Sequence, residues 1–332
     1  MIIASSPVRI SLGSADHSPF AERFVGNALN IAINRRVYLF IRERNHMEEH
    51  KFRISYSKTE LCEDVEEIKL GIIREAIKLV GAHKERLEIV YTADTPPQLG
   101  LGTSSSMAVA LLKGLWMYRN TGISNEILVE QAYKLERESL KEQGGFQDQY
   151  AACFGGVNYL EGSPGRVQRK PIALTSSQAD LFKKHVILIY TGNRDQSSSV
   201  LGEQLRKLRK GETLDDTIRI KKLVEEMCSI MSMPDFHPTD LAGPLREAWE
   251  LKKQLTSSMS GPRVSFIEQA VLDVNPAAGL RLIGGGGDRG VVMVISDPKY
   301  MDRIKGAVAP LKTFDIDFDW DGVTARRIFH GY

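Results

Sequence analysis

The chain has 332 residues, 42% of them hydrophobic and 26% charged, with Lys+Arg 44 against Asp+Glu 42. That length and composition supply a buried core for two domains, or one large one, and exclude a mainly disordered chain. A formal charge of +2 offers no basic field for nucleic acid, three cysteines without a CxxC spacing give neither a disulfide framework nor a cysteine zinc site, and no apolar run approaches the ~18 residues that span a bilayer. The first residues, MIIASSPVRISLG, lack the basic start and apolar stretch of a secretion signal, so the expected compartment is the cytoplasm. Residues 1–45 predict a strand, a glycine-containing loop and an apolar stretch ending in the strand Val37–Arg42. Segment 43–66 is charged and reads as a surface hairpin and loop. Apolar residues at helical spacing predict an amphipathic helix over Lys69–Val80, followed by the strand Leu87–Thr92. Thr95–Ser106 is a Pro/Gly/Ser loop running into a helix over Met107–Tyr118, and a further helix, opened by Ser124, covers about Ser124–Lys141. Gly144-Gly145, a short helix, Gly155-Gly156 and the strand Val157–Leu160 follow. The polar, proline-containing stretch Ser163–Asp180 marks a domain boundary, giving units 1–178 and 179–332. The second unit predicts a strand at Val186–Tyr190, three or four helices across 196–278, and a strand at Leu280–Ile283. The glycine run Gly284–Gly287, a strand at Val291–Ile295, a helix near 298–309 and a strand near Thr313–Phe318 complete it. The fold class is α+β in two halves.

Four segments carry the candidate chemistry. In PPQLGLGTSSSMAVA (Pro96–Ala110), Gly100 and Gly102 precede four hydroxyl residues at the start of a helix. Such a turn offers free N–H groups and the positive end of a helix dipole to a phosphate; the plainer reading is a loop with a serine cap. The chain has no Gly-Lys dipeptide, so it is not a Walker loop, and no third glycine makes it a dinucleotide fingerprint. In ERESLKEQGGFQDQY (Glu136–Tyr150), Glu136 lies on a helix and Asp148 in the first turn of the next. Carboxylates near a phosphate site can hold Mg²⁺ or accept a hydroxyl proton; the plainer readings are a solvated helix face and a helix cap. IGGGGDRGV suits either a close backbone approach or a mobile turn. RISLGSADHSPF leaves the first strand with Arg9, Asp16 and His17, which could equally be surface polarity.

Together with GGFQDQYAACFGGVNYLE and YTGNRDQSSSVL, these segments resemble, in order and along essentially the whole chain, the GHMP kinases, and within them the heptose 7-phosphate kinase group. The resemblance implies an N-terminal domain like ribosomal protein S5 domain 2, a ferredoxin-like C-terminal domain, and an active site between them. ATP would lie along Pro97, Gly100, Leu101, Gly102, Thr103, Ser104 and Ser105, with Mg²⁺ on Ser104 and Glu136. Asp148 would receive or orient the sugar hydroxyl, and Arg9 would keep it ionised. Asp16, His17, Gly145, Gln147, Gly285 and Gly286 would meet the substrate, and Arg194 is the candidate cation for a phosphate already on it. The implied reaction is ATP-dependent phosphorylation of the anomeric hydroxyl of a heptose 7-phosphate, with a homodimer as the one higher assembly kept open. The chain departs from the family pattern at the shorter GSAD loop, at Phe146 where a lysine is common, and at Asp288-Arg289 where an apolar residue is usual. These departures bear on which sugar is used, and a fucose-like or octose substrate is the competing one. A catalytically silent ligand sensor on the same fold would be expected to lack one of Ser104, Glu136 and Asp148, all present here. The basic run Arg206–Lys210 is read as a solvated helix face rather than a nucleic-acid contact.

Overall fold

Apolar residues at alternate positions, bounded by polar loops, build two sheets, and the computed structural model describes residues 1–193 and 198–328. The elements in chain order are β1 (Ile2–Ser14), α1 (Ser18–Phe24), β2 (Gly26–Glu43), β3 (Phe52–Ser55), β4 (Thr59–Cys62), α2 (Gly71–Leu79) and β5 (Leu87–Ala93). They continue with α3 (Thr103–Tyr118), α4 (Asn125–Lys134), α5 (Gln147–Phe154), β6 (Val157–Ser163), β7 (Arg166–Ile172), α6 (Ser176–His185) and β8 (Val186–Gly192). Helices α7 (Ser198–Arg209), α8 (Leu214–Met231), α9 (Ala242–Gln254) and α10 (Pro262–Val274) precede β9 (Gly279–Leu282), β10 (Gly290–Ile295), α11 (Met301–Ala307), β11 (Lys312–Phe314) and β12 (Thr324–Arg327).

The first sheet runs β12-β1-β2-β5-β3-β4, with β6 and β7 joined to it through β2; only the β3–β5 pair is parallel. β2 is long because it serves two partners: Gly26–Ile31 pairs with β6 and Val37–Glu43 with β5. The second sheet, β11-β8-β10-β9, is antiparallel. The buried face of the first sheet packs on α3, whose Ser105–Leu112 is wholly buried together with Gly114 and Leu115. α8 and α9 pack against each other, with α8 also against β1 and β2 and α9 against β9, closing the second unit over the first.

The structure changes several expected boundaries. The helix predicted from Met107 begins at Thr103, because Gly102 takes a left-handed φ of 76° and turns the glycine loop directly into it. The helix predicted over Ser124–Lys141 ends as α4 at Lys134, and Leu135–Ser139 winds on as one wide π turn. Ser124 caps α4 by accepting from the Ile127 amide. The expected loop after β1 contains α1. The polar stretch 163–180 is not a linker: it forms β7, paired along its length with β6, and the start of α6. The division at 178/179 therefore falls inside α6, and β12 leaves the second unit to pair with β1.

Candidate functional site

The site grows from β1, where Val8, Ile10 and Leu12 turn inward and Arg9 and Ser11 share the opposite face. The Arg9 amide donates to Leu101 O at 2.9 Å, and Nη1 donates to Gly100 O at 2.5 Å. Nε donates to Asp148 Oδ1 at 2.8 Å, and Nη2 reaches the same oxygen at 2.7 Å. One buried guanidinium thus ties the glycine loop to the carboxylate. On the other side Gly102 approaches Asp148 so closely that a Cβ there would stand 3.3 Å from Cγ and from Oδ2. The first turn of α3 has no side-chain cap and the buried Thr103 Oγ1 has no partner, which leaves an anion site beside the carboxylate. Leu101 contributes only its carbonyl to this arrangement, since its side chain is in the core, and Pro97 lies exposed on the preceding turn.

Glu136 is carried inward by the π turn and is 1% exposed. Gln149 Nε2 donates to its Oε2 at 2.5 Å and to Ser105 Oγ at 3.3 Å. Among the described residues no basic side chain is paired with Glu136. A buried carboxylate answered by a neutral amide fits a Mg²⁺ ligand of the kind that supplies one carboxylate while phosphates and water complete the shell. No cluster of three or more acidic, histidine or cysteine residues offers a metal cage of its own among the described residues. The hydroxyl that shares Gln149 with Glu136 belongs to Ser105; Ser104, expected as the second ligand, is exposed on the outer side of the same turn.

Asp16 departs from its expected role. Its carboxylate accepts the α5-end amides of Phe146 at 2.9 Å and Gln147 at 3.0 Å, with Gln147 Nε2 at 3.4 Å from Oδ1. It is 1% exposed and caps the helix that carries Asp148, and both of its oxygens are engaged by that helix end. Gly145 is required here for contact: a Cβ would fall on the Asp16 carboxylate. Gly286 is likewise not at the cleft surface, since the space above its Cα is filled by Met259 and Val200. Arg194 lies outside the described residues. Two of the departures from the family pattern have structural uses. Phe146 packs in a small cluster with Ala21, Ala28 and Leu160, and Asp288 Oδ1 accepts the Arg263 amide at 2.8 Å and the Val264 amide at 3.3 Å, capping α10.

His17, Gly145, Gln147 and Gly285 do line one cleft with Arg9 and Asp148. Sequence reasoning missed the rest of its wall: Ser11, Ser14, Arg137, Lys252 and Arg281. Arg137 leaves the π turn one residue after Glu136 and donates from Nη2 to Gly145 O at 3.1 Å. Lys252 donates to Gly284 O at 2.8 Å. Arg281 reaches from β9 to the other sheet, donating from Nη1 to Leu12 O at 2.6 Å. Burial, with Arg9 nearby, pushes its guanidinium down to about 10. Burial also holds the His17 imidazole below its ordinary range, despite the opposing charge of Asp16, so the ring faces the cleft neutral. Ser11 Oγ, His17 Nδ1, Gln147 Oε1 and Arg281 Nε are all buried without a partner. Buried polar atoms are nearly always paired, so their collection at one cleft marks a place for a polar ligand. A lone Ser at an alternate position of an apolar strand (VRISL) and a lone Arg in GLRLI were the available signals.

With this geometry in hand, residues 71–156 match the family model of the GHMP kinases' N-terminal domain. The D-glycero-alpha-D-manno-heptose 7-phosphate kinase of Campylobacter jejuni subsp. jejuni serotype O:2 is 25% identical over 98% of this chain and 99% of its own. The bifunctional fucokinase/GDP-fucose pyrophosphorylase of Arabidopsis thaliana is 24% identical over 75% of this chain but only 24% of its own length. Among solved structures, a D-glycero-D-manno-heptose 1-phosphate kinase from Bacteroides thetaiotaomicron superposes with a TM-score of 0.79 at 21% identity, covering 99% of this chain and 100% of that one, a likeness of fold.

Proposed function

We propose that the chain, whose residues 71–156 match the N-terminal domain of the GHMP kinases, is a kinase of that family that uses ATP and Mg²⁺ to phosphorylate the anomeric hydroxyl of a heptose 7-phosphate. The observation that carries the reading is Asp148, ion-paired to Arg9 and packed against Gly102 at the head of α3. In-line transfer needs an acceptor oxygen, a phosphoryl group and a carboxylate in one small space, with little covalent work left to the protein. The triphosphate lies along Gly100–Ser105, its terminal group at the first-turn amides of α3. The sugar hydroxyl meets Asp148, which accepts its proton or orients it as the oxygen attacks. The new O–P bond forms as the β–γ bridging bond breaks, and ADP leaves. Arg9 fixes the carboxylate toward the loop. Glu136, with the hydroxyl of Ser105 rather than the outward-facing Ser104 beside it, would hold Mg²⁺, which would neutralise charge on the phosphates. The Campylobacter relative supports the choice of a heptose bearing a phosphate, and a cytoplasmic location suits that chemistry. Among the described residues no helix is long and apolar enough to cross a membrane.

The test is coupled ADP release with Mg·ATP against heptose 7-phosphate, the free heptose, fucose and galactose. Turnover on heptose 7-phosphate, falling roughly 10²–10⁴-fold in Asp148→Asn while ATP binding is kept, is the expected result. Preferred turnover of fucose would move the substrate to the fucokinase side, and an Asp148→Asn enzyme at full speed would refute the role of Asp148.

A further inference from the structure

The cleft holds more positive charge than its carboxylate needs. Arg9 is committed to Asp148, whereas Arg281, 3% exposed, meets no carboxylate among the described residues; its Nη1 donates to the Leu12 carbonyl, and its Nε has no partner. A buried guanidinium facing a cleft without an acidic partner is costly unless a ligand supplies the anion. Its position along β1 separates two sources of phosphate. The nucleotide loop meets β1 at Arg9 through Gly100 and Leu101, while Arg281 meets it at Leu12 and Gly13. At about 3.3 Å per strand residue, these points are roughly 10 Å apart. The same wall includes Arg137, which is held there by donating from Nη2 to Gly145 O.

We propose that Arg281, with Arg137 and the hydroxyl of Ser11, forms a subsite for a phosphate monoester carried by the acceptor at the end remote from the hydroxyl that reacts. The proposal rests on the kinase reading and assigns residues to its substrate class: a phosphorylated sugar is selected over the free sugar by a residue of the second unit reaching across to the first. A guanidinium forks onto phosphate with two donors, and Arg281 Nε is the donor left for it.

Two measurements test this, the first independent of turnover. In the first, ³¹P NMR titration of inorganic phosphate without nucleotide is expected to show binding to the wild-type protein, displaced by heptose 7-phosphate, and lost in Arg281→Met. Phosphate that still binds Arg281→Met, or that is displaced by ATP and not by the sugar phosphate, would overturn the assignment and give the anion site to the nucleotide. In the second, Arg281→Met should lower kcat/KM for heptose 7-phosphate by about 100-fold, leave the KM for ATP unchanged, and leave any turnover of the free heptose unchanged; Arg281→Lys should restore part of the loss. Equal losses on both sugars in both variants would make Arg281 a tie between the sheets only. If no sugar is turned over but phosphate binding depends on Arg281, the subsite stands and the kinase reading fails; if both sugars are turned over equally well by the wild type, the kinase reading stands and the subsite fails.

Discussion

Removing Asp16 discriminates between a helix cap and a sugar ligand. In Asp16→Ala the Phe146 and Gln147 amides lose their acceptor at a site closed to water, along with the weaker Gln147 side-chain bond. A hydrogen bond to a charged group contributes ~1.5–3 kcal/mol, and loss of a cap alone costs ~0.5–2 kcal/mol. Two charge-assisted bonds therefore put the variant about 3–5 kcal/mol below wild type. At roughly 2 °C per kcal/mol for a chain this long, Tm should drop about 6–10 °C. Asp16→Asn keeps one oxygen as acceptor and should lose less than half of that. Because Asp148 follows Gln147 in the first turn of α5, loosening that turn shifts the carboxylate against the phosphate loop. A displacement of about 1 Å is enough to cost on the order of 100-fold in rate. Urea and thermal unfolding followed by circular dichroism, with kcat and KM by coupled ADP release, make the test. The cap reading requires lower stability and lower kcat together. An Asp16→Ala protein with wild-type Tm and only a raised sugar KM would refute it and return Asp16 to the substrate.

Two further outcomes are expected. Since the folded state holds His17 below its unfolded pKa of 6.5, the unfolded chain binds the extra proton as pH falls through that value. This part of the stability is thus present above pH 6.5 and declines below it until the depressed folded pKa is reached; the urea midpoint of His17→Gln should change less between pH 7 and 5 than that of wild type, and parallel slopes would contradict the assignment. Phe146→Lys, which installs the lysine common in the family, should not improve ATP binding, because it empties a packed position and buries an ammonium; a loss of about 3–5 kcal/mol is expected by denaturation, and a stable variant with a lower KM for ATP would show that the position faces the nucleotide.

The elements with strong periodicity were legible: β5, α2, β8, β9 and β10 fall within two residues of where alternation or helical spacing places them, whereas the helix after the glycine loop starts four residues early and the strand expected near Thr313–Phe318 is only Lys312–Phe314. The π turn was not, because its register depends on Glu136 finding Gln149 rather than on any local preference. Arg9 beside Asp148 was legible only through the family resemblance, since 139 residues separate them. The helix-capping contacts of Asp16 were not legible for a physical reason. A carboxylate after a strand looks the same whether its oxygens meet a sugar or the amides of a helix 130 residues later. The cations of the second unit were invisible because Lys252 sits among ordinary helix-face lysines, and only the fold turns it toward the cleft.

β12 joins β1 with Ile2 opposite Arg327 and Ser5 opposite Thr324. The segment before it is fastened to the first sheet by the Arg36–Asp319 ion pair and by Gly156 N donating to Asp319 O, while Val323 N donates to Cys153 O at the end of α5. During synthesis, therefore, β1 emerges more than 300 residues before β12 and keeps one ladder open until then, and closure of a loop that long is entropically slow. Until then the unpaired edge at Ile2–Ser5 can accept a strand from another chain. A fragment ending at residue 178 would carry that open edge permanently, and would lose the fastening at the back of the catalytic helix as well.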